Sequence, residues 1–296
     1  MPAGTIIRGI GGFYYVASED GSIVECKARG IFRKDMITPL TGDRVIFSMI
    51  DPVRKKGSID KIEERSTVLV RPAVANVNQI VTVIAAKSPE PDLMLVDKLL
   101  VTAQEKGIRT IVCINKTDLD EKDNIAQLRR AYAIAGYDVI ETNKQETDGF
   151  NELKSLLKGH VTVLAGQSGV GKSTLLNRIM DTLVMKTGEL SDRLNRGKHT
   201  TRSVELLRLE EGGFVVDTPG FSSFELSGIT HPELKYFYPE FAEYIHDCRF
   251  KGCSHINEPD CGVKRAVEDR QIDGGRYDRY VELHALLKLE EESKYK

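Results

Sequence analysis

The chain has 296 residues, 41% of them hydrophobic and 29% charged, with a formal net charge of −2. That length holds two or three domains with a sizeable core, and that balance excludes a disordered or collagen-like chain. No apolar run approaches the roughly 20 residues of a membrane span, the start MPAGTIIRGIGG lacks the basic and apolar regions of a signal peptide, and the near-neutral charge does not by itself announce a nucleic-acid partner. A cytoplasmic protein without a membrane partner is expected.

Residues 1–70 hold short β-rich runs, GGFYYVAS, SIVECKARGIF, DRVIFSMI and GSIDKIEER, separated by the turn signals EDGS, TPLTGD and DPVRKKG. In DRVIFSMI, Val45, Phe47 and Met49 alternate with Ile46 and Ser48, the period of a half-buried strand. Strands this short and close predict a small closed β-barrel, an OB-fold first and an SH3-like barrel second. Lys27, Arg29, Arg33 and Lys34, with Arg54, Lys55 and Lys56 in one turn, are either RNA contacts or a solvated face. Tyr14, Tyr15 and Phe32 either stack bases or fill the barrel. Cys26 reads as a core residue.

From 71 to 230 apolar strands alternate with amphipathic helices: the strand NQIVTVIAA, the helix DLMLVDKLLVTAQEKG, the strand TIVCI, a helix over 122–136, the strand DVIET, a helix beginning near Gly149, and the strand VTVLAG. Such alternation predicts an α/β core with a parallel sheet, in which Cys113 is another core residue. The last segment, 231–296, reads as helical around HPELKYFYPEFAEYI and through VKRAVEDRQ and YDRYVELHALLKLEEE, with a cysteine-bearing loop between. Its modest apolar content suggests that a metal adds cohesion.

The chemistry concentrates in four short strings. GQSGVGKS at 166–173 follows the strand VTVLAG and precedes TLLNRIM, the strand–loop–helix setting of a phosphate loop. Gly166, Gly169 and Gly171 allow successive N–H groups to turn inward, with Gln167, Ser168 and Val170 between them. Lys172 is placed to reach the β- and γ-phosphates, Ser173 to hold Mg²⁺, and Thr174 to continue the helix N-terminus. NKTD at 115–118 follows the strand TIVCI. There Asp118 can accept from guanine N1–H and the exocyclic amine, the Lys116 stem can cover the base, Asn115 can brace the loop, and Thr117 completes it. Downstream, RLNRGKHTTRS offers Thr200 or Thr201 to Mg²⁺, and DTPG offers Asp217 to the metal through water and the Gly220 N–H to the γ-phosphate. GTP or GDP with Mg²⁺ is the expected ligand.

An ordinary small GTPase runs phosphate loop, first switch, second switch, guanine reader. Here the reader comes first, so the chain is expected to be circularly permuted, with the second switch leading into the C-terminal segment. In that segment Cys248, Cys253, His255 and Cys261, spaced C-x4-C-x-H-x5-C, supply three thiolates and one imidazole for one tetrahedral Zn²⁺ with no open position, hence structural.

NKTD, GQSGVGKST, NRGKHTT, DTPGF and CRFKGCSHINEPDC, in this order behind a small barrel, resemble the ribosome small-subunit-dependent GTPase A (RsgA) family over nearly the whole chain. The resemblance implies GTP hydrolysis stimulated by the small ribosomal subunit late in its maturation, with ribosomal RNA as contact surface. The implied organisation is an OB-fold at 1–70, a permuted GTPase domain at 71–230 and a helical zinc domain at 231–296, in a monomer. Phe221 stands where many GTPases place a water-orienting glutamine, and a phenyl ring cannot do that work. His199, beside the switch threonines, matches the histidine of the family's first-switch motif and is the catalytic candidate. Two other readings are an RNA-binding scaffold holding GTP as a structural ligand, kept open by Phe221, and a GTPase acting elsewhere, as in tRNA modification.

Overall fold

The computed structural model describes the chain except residues 35, 71, 121–122, 188–203, 218–225, 227 and 295–296, and gives only the backbone of 33–34, 181–187 and 294. In chain order the elements are β1 (Ala3–Ile10), β2 (Phe13–Ser18), β3 (Ile23–Ala28), α1 (Gly30–Lys34), β4 (Arg44–Asp51), β5 (Lys56–Ile62), β6 (Val68–Leu69), β7 (Val74–Ala75) and β8 (Gln79–Ala85). Then follow α2 (Leu93–Glu105), β9 (Arg109–Asn115), α3 (Asn124–Ile134), β10 (Asp138–Thr142), α4 (Asp148–Leu157), β11 (Val161–Ala165), α5 (Lys172–Thr187), β12 (Glu205–Arg208), β13 (Phe214–Asp217), α6 (Gly262–Glu268) and α7 (Gly274–Lys294). The chain forms two compact units, residues 1–79, 154–164 and 173–221, and residues 80–153, 165–172 and 222–296.

In the first unit β1 pairs antiparallel with β2, β2 with β3, and β4 with both β5 and β1, while β3 and β5 run parallel. This closed order of five strands, with α1 between β3 and β4, is the Greek-key barrel of an OB-fold and excludes the SH3-like alternative. Ile6, Val16, Val24, Cys26, Phe32, Val45, Phe47 and Ile59 fill it. Phe32 is therefore a core residue, Tyr14 packs at the core's edge, and Tyr15 lies under the Arg8 guanidinium with its hydroxyl donating to Glu25. The alternation of β4 holds for Val45 and Phe47 but not for Met49, which is exposed near the end of the strand although it stays in register opposite Gly57. Beyond the barrel, β12 pairs with β1 at Arg8 and Glu205, β13 runs antiparallel to β12, and β11 runs parallel to β13.

In the second unit β8 lies beside β9, and β9 pairs parallel with β10. Every residue of β8 is buried, as a strand covered on both faces must be. Apolar residues of α2 and α3, among them Val96, Leu100, Leu128 and Tyr132, close one core against Ile84, Val112 and Ile114. The stretch read as helical around HPELKYFYPEFAEYI forms three 3-10 turns instead, Leu234–Phe237, Pro239–Phe241 and Ile245–Asp247. Pro239 lacks an N–H and pushes Tyr238 into an extended conformation, so no continuous helix can pass it. The core of this segment is larger than its composition suggests, because Val101 of α2 joins Leu234, Tyr238, Phe241, Val263, Ile272, Tyr280, Leu283 and Leu287.

Candidate functional site

The phosphate loop leaves β11 at Gly166, whose φ of 137° no L side chain tolerates easily, and an added Cβ there would stand 2.3 Å from the Val83 carbonyl. Val170 is buried and anchors the loop, while Ser168 and Gly169 face solvent. Lys172 Nζ donates to the carbonyls of Gly166 and Gln167 at 2.6 and 2.8 Å, so the ammonium is already folded back over the loop. Burial lowers its pKa from the ordinary lysine value, an effect that an anion in the loop would oppose. Ser173 and Thr174 follow on the exposed side of the first turn of α5.

The NKTD string meets this loop directly. Asn115 ends β9, 7% exposed, and its Nδ2 donates to the Val170 carbonyl at 2.9 Å while its Oδ1 accepts from Thr142 Oγ1 at 3.0 Å. A Cβ on Gly171, whose φ is 102°, would lie 2.3 Å from the same Asn115 Nδ2, so only glycine allows this approach. Lys116, in the left-handed region, spans the gap with Nζ donating to the carbonyls of Ser88 and Gly169. Its stem thus lies between the two strings. Thr117 Oγ1 accepts from Asn143 Nδ2 at 3.1 Å, and Asp118 stands exposed in the 3-10 turn Thr117–Leu119. Thr142 and Asn143, which hold the reader loop from the end of β10, escape sequence reasoning. The available signal is their place at the carboxyl end of a parallel strand next to β9.

Of the switch residues, Asp217 closes β13 opposite Glu205. His199, Thr200, Thr201, Gly220 and Phe221 lie outside the described residues. Among the basic barrel candidates, Lys27 sits over the Phe13 ring, Arg29 pairs with Asp60 at 2.6 Å and Lys56 with Glu25 at 3.8 Å. The side chains of Arg33 and Lys34 are outside the description.

The side chains of Cys248, Cys253, His255 and Cys261 converge, their candidate ligand atoms all lying within 4.8 Å of one another. Cys248 Sγ is 3.5 Å from His255 Nδ1 and 3.9 Å from Cys261 Sγ, and His255 Nδ1 is 3.4 Å from Cys261 Sγ. A tetrahedron with zinc–sulfur and zinc–nitrogen bonds of about 2.3 and 2.0 Å has edges of roughly 3.5 to 3.8 Å, so the four residues fit zinc. Burial pushes the Cys253 thiol up to about 12 and the His255 imidazole down to about 4. The imidazole is thereby kept neutral as a ligand must be, and the thiolates need a cation to exist there. Tyr277 and Tyr280 of α7 donate to the carbonyls of His255 and Ser254 at 2.8 and 2.6 Å, and Glu258 accepts from Ser254 N at 2.7 Å and from Ile256 N at 3.1 Å.

A cluster that the sequence hides joins α7 to α2. Asp97, fully buried, accepts from Arg276 Nη1 and from Arg279 Nε, and Arg276 also donates to Glu240. The Arg276 guanidinium lies 5.2 to 5.5 Å from the ring centroids of Tyr132, Tyr137 and Tyr238. Cys26 and Cys113 are buried, their thiols each pushed up to about 11, mainly by burial.

Comparison with known proteins agrees with this geometry. The family model for the RsgA GTPase matches residues 62–227, and that for the RsgA N-terminal domain matches residues 3–59. The small ribosomal subunit biogenesis GTPase RsgA of Ruminiclostridium cellulolyticum is 57% identical over 289 residues, 97% of this chain and 94% of that protein. The protein of the same name from Caldanaerobacter subterraneus subsp. tengcongensis is 47% identical, over 99% of this chain and 98% of its own. Among solved structures, YloQ, described as a circularly permuted GTPase, superposes with a TM-score of 0.82 at 40% identity, covering 97% of this chain and 95% of that one. YjeQ from Thermotoga maritima superposes at 0.81 with 35% identity, covering 97% and 98%. No helix among the described residues is long and apolar enough to cross a membrane.

Proposed function

Because this chain belongs to the RsgA GTPase family and is a GTP hydrolase, we propose that it acts in the biogenesis of the small ribosomal subunit, late in maturation, and that the subunit stimulates its hydrolysis. The observation that carries the nucleotide assignment is the Asn115 bridge, which fastens the guanine reader to the phosphate loop through the Val170 carbonyl. In this reading Asp118 selects guanine by accepting two hydrogen bonds from the base edge. The N–H groups of 166–171 hold the phosphates, and Lys172 releases its loop carbonyls to reach the β- and γ-oxygens. Ser173, Asp217 and one of Thr200 and Thr201 hold Mg²⁺, which neutralises charge on the transferred group when bound. The Gly220 N–H senses the γ-phosphate, and His199 orients the attacking water.

One structural Zn²⁺ sits on Cys248, Cys253, His255 and Cys261, and the fit of their ligand atoms to a tetrahedron supports this. The protein works as a cytoplasmic monomer whose contact surface is ribosomal RNA. The test is GTP turnover measured alone, with purified small subunits and with large subunits. Stimulation by small subunits alone is expected. Turnover absent in all three conditions would overturn the reading in favour of an RNA-binding scaffold with GTP as a structural ligand.

A further inference from the structure

Three thiolates and a neutral imidazole around a divalent cation carry a net charge of about −1. In a site as buried as this one, such a charge is strongly disfavoured unless a partner answers it. Glu258 does not help: its sign is wrong, and it is occupied by Ser254 and Ile256, while Lys264 donates to the carbonyls of Ile256 and Glu258 at 3.5 and 3.1 Å. Arg249 and Asp260 pair with each other at 3.1 Å on the exposed rim.

Lys235 is different. It is 6% exposed in the turn Leu234–Phe237, and its Nζ donates to the backbone carbonyl of the ligand residue Cys253 at 2.9 Å. Lysine is among the residues least often buried, and its compact, strongly hydrated ammonium carries three donors. Among the described residues no carboxylate lies within ion-pair reach of it. The Tyr236 ring, its centroid 5.1 Å from Nζ, is a neutral partner, so the anion within reach of this buried cation on the backbone of a metal ligand is the metal cluster.

We propose that Lys235 is the counter-charge of the metal centre, its ammonium offsetting the negative zinc–thiolate cluster and setting how tightly the metal is held. This rests on the zinc reading of Cys248, Cys253, His255 and Cys261. The test uses the full chain and four proteins: the parent, Lys235→Gln, which keeps an N–H donor for the Cys253 carbonyl without charge, Lys235→Met, which keeps neither, and Lys235→Arg, which keeps both. Zinc affinity is read by competition with a chromogenic chelator, and assembly by the thiolate–cobalt absorption at saturating Co²⁺. The expected result is an unchanged cobalt band in all four, with zinc held on the order of tenfold more weakly by the Gln and Met variants. Arg should stay within about threefold of the parent. A Gln variant matching the parent would reduce Lys235 to a carbonyl donor and overturn the counter-charge, as would all variants matching. Loss of the cobalt band in the Arg variant as well as in Gln and Met would mark a packing role and overturn it too. A parent chain that takes up neither zinc nor cobalt would overturn the zinc reading, and the counter-charge with it.

Discussion

The phosphate loop and the cysteine cluster solve opposite problems within one compact unit. The loop is a cradle of backbone groups with an open rim: Ser168, Gly169 and Asp118 face solvent, and Lys172 rests on the carbonyls of Gly166 and Gln167. The cluster is closed, with Cys253, His255 and Cys261 exposed by 4%, 0% and 2%, and its loop is stitched to α7 by two tyrosine hydroxyls. A ligand that must leave in every cycle needs groups that solvent can satisfy in its absence. A ligand that stays can be built into a core, where its loss leaves buried groups uncompensated.

The comparison is broken most severely at Asp97. Asp97→Ala strips the buried Arg276 and the half-buried Arg279 of their shared carboxylate, and the folded state should lose about 3–5 kcal/mol, read as a lower urea midpoint. Retention of the parent midpoint would mean that the α2–α7 cluster contributes little to the closed region. Next comes the reader. Asp118→Asn removes charge-assisted bonds of roughly 1.5 to 3 kcal/mol each, so GDP affinity should collapse while xanthosine diphosphate, with a carbonyl at C2, is accepted. Titration calorimetry with both nucleotides decides it, and an unchanged guanine preference would remove NKTD from the site.

Gly171→Ala tests the backbone character of the open region. The strain of a side chain at this φ, together with the approach to Asn115, costs the folded state about 1–3 kcal/mol and should lower the urea midpoint, and a loop that shifts to relieve the clash should hold GDP roughly tenfold more weakly. The smallest effect on the nucleotide is expected from the closed region. Cys253→Ser should raise hydrogen exchange across 231–294 and abolish zinc uptake, yet leave GDP affinity within about twofold, as independent sites do. A larger loss of GDP affinity would show that α7 and Asp97 carry the metal's influence to the phosphate loop, and would merge the two regions into one.

Much was readable from the string because its chemistry is contiguous. A phosphate loop needs glycines and a lysine within a few residues, a guanine reader as proposed here needs its aspartate beside its lysine, and four candidate metal ligands fall within one loop. The order of these strings also disclosed the permutation, which needs no coordinates. Periodicity located the barrel and the βα alternation, and it failed at Met49, exposed near the end of β4, and around Pro239 through a missing N–H.

What only tertiary structure decided are partnerships across long separations. Asp97 meets Arg276 and Arg279 from 179 and 182 positions away, and nothing in DLMLVDKLL distinguishes that aspartate from a solvated one. Asn115 and Gly171 constrain each other across a shorter but still long-range separation, so the glycine's necessity is a fact about a neighbour's amide. Lys235 reads as one more surface lysine until the fold removes its water and sets it against Cys253. The physical reason is the same in each case. Local sequence determines which backbone conformations and which donor atoms are available, but the energy of a charge or a close approach depends on what surrounds it, and burial is assigned by the whole chain.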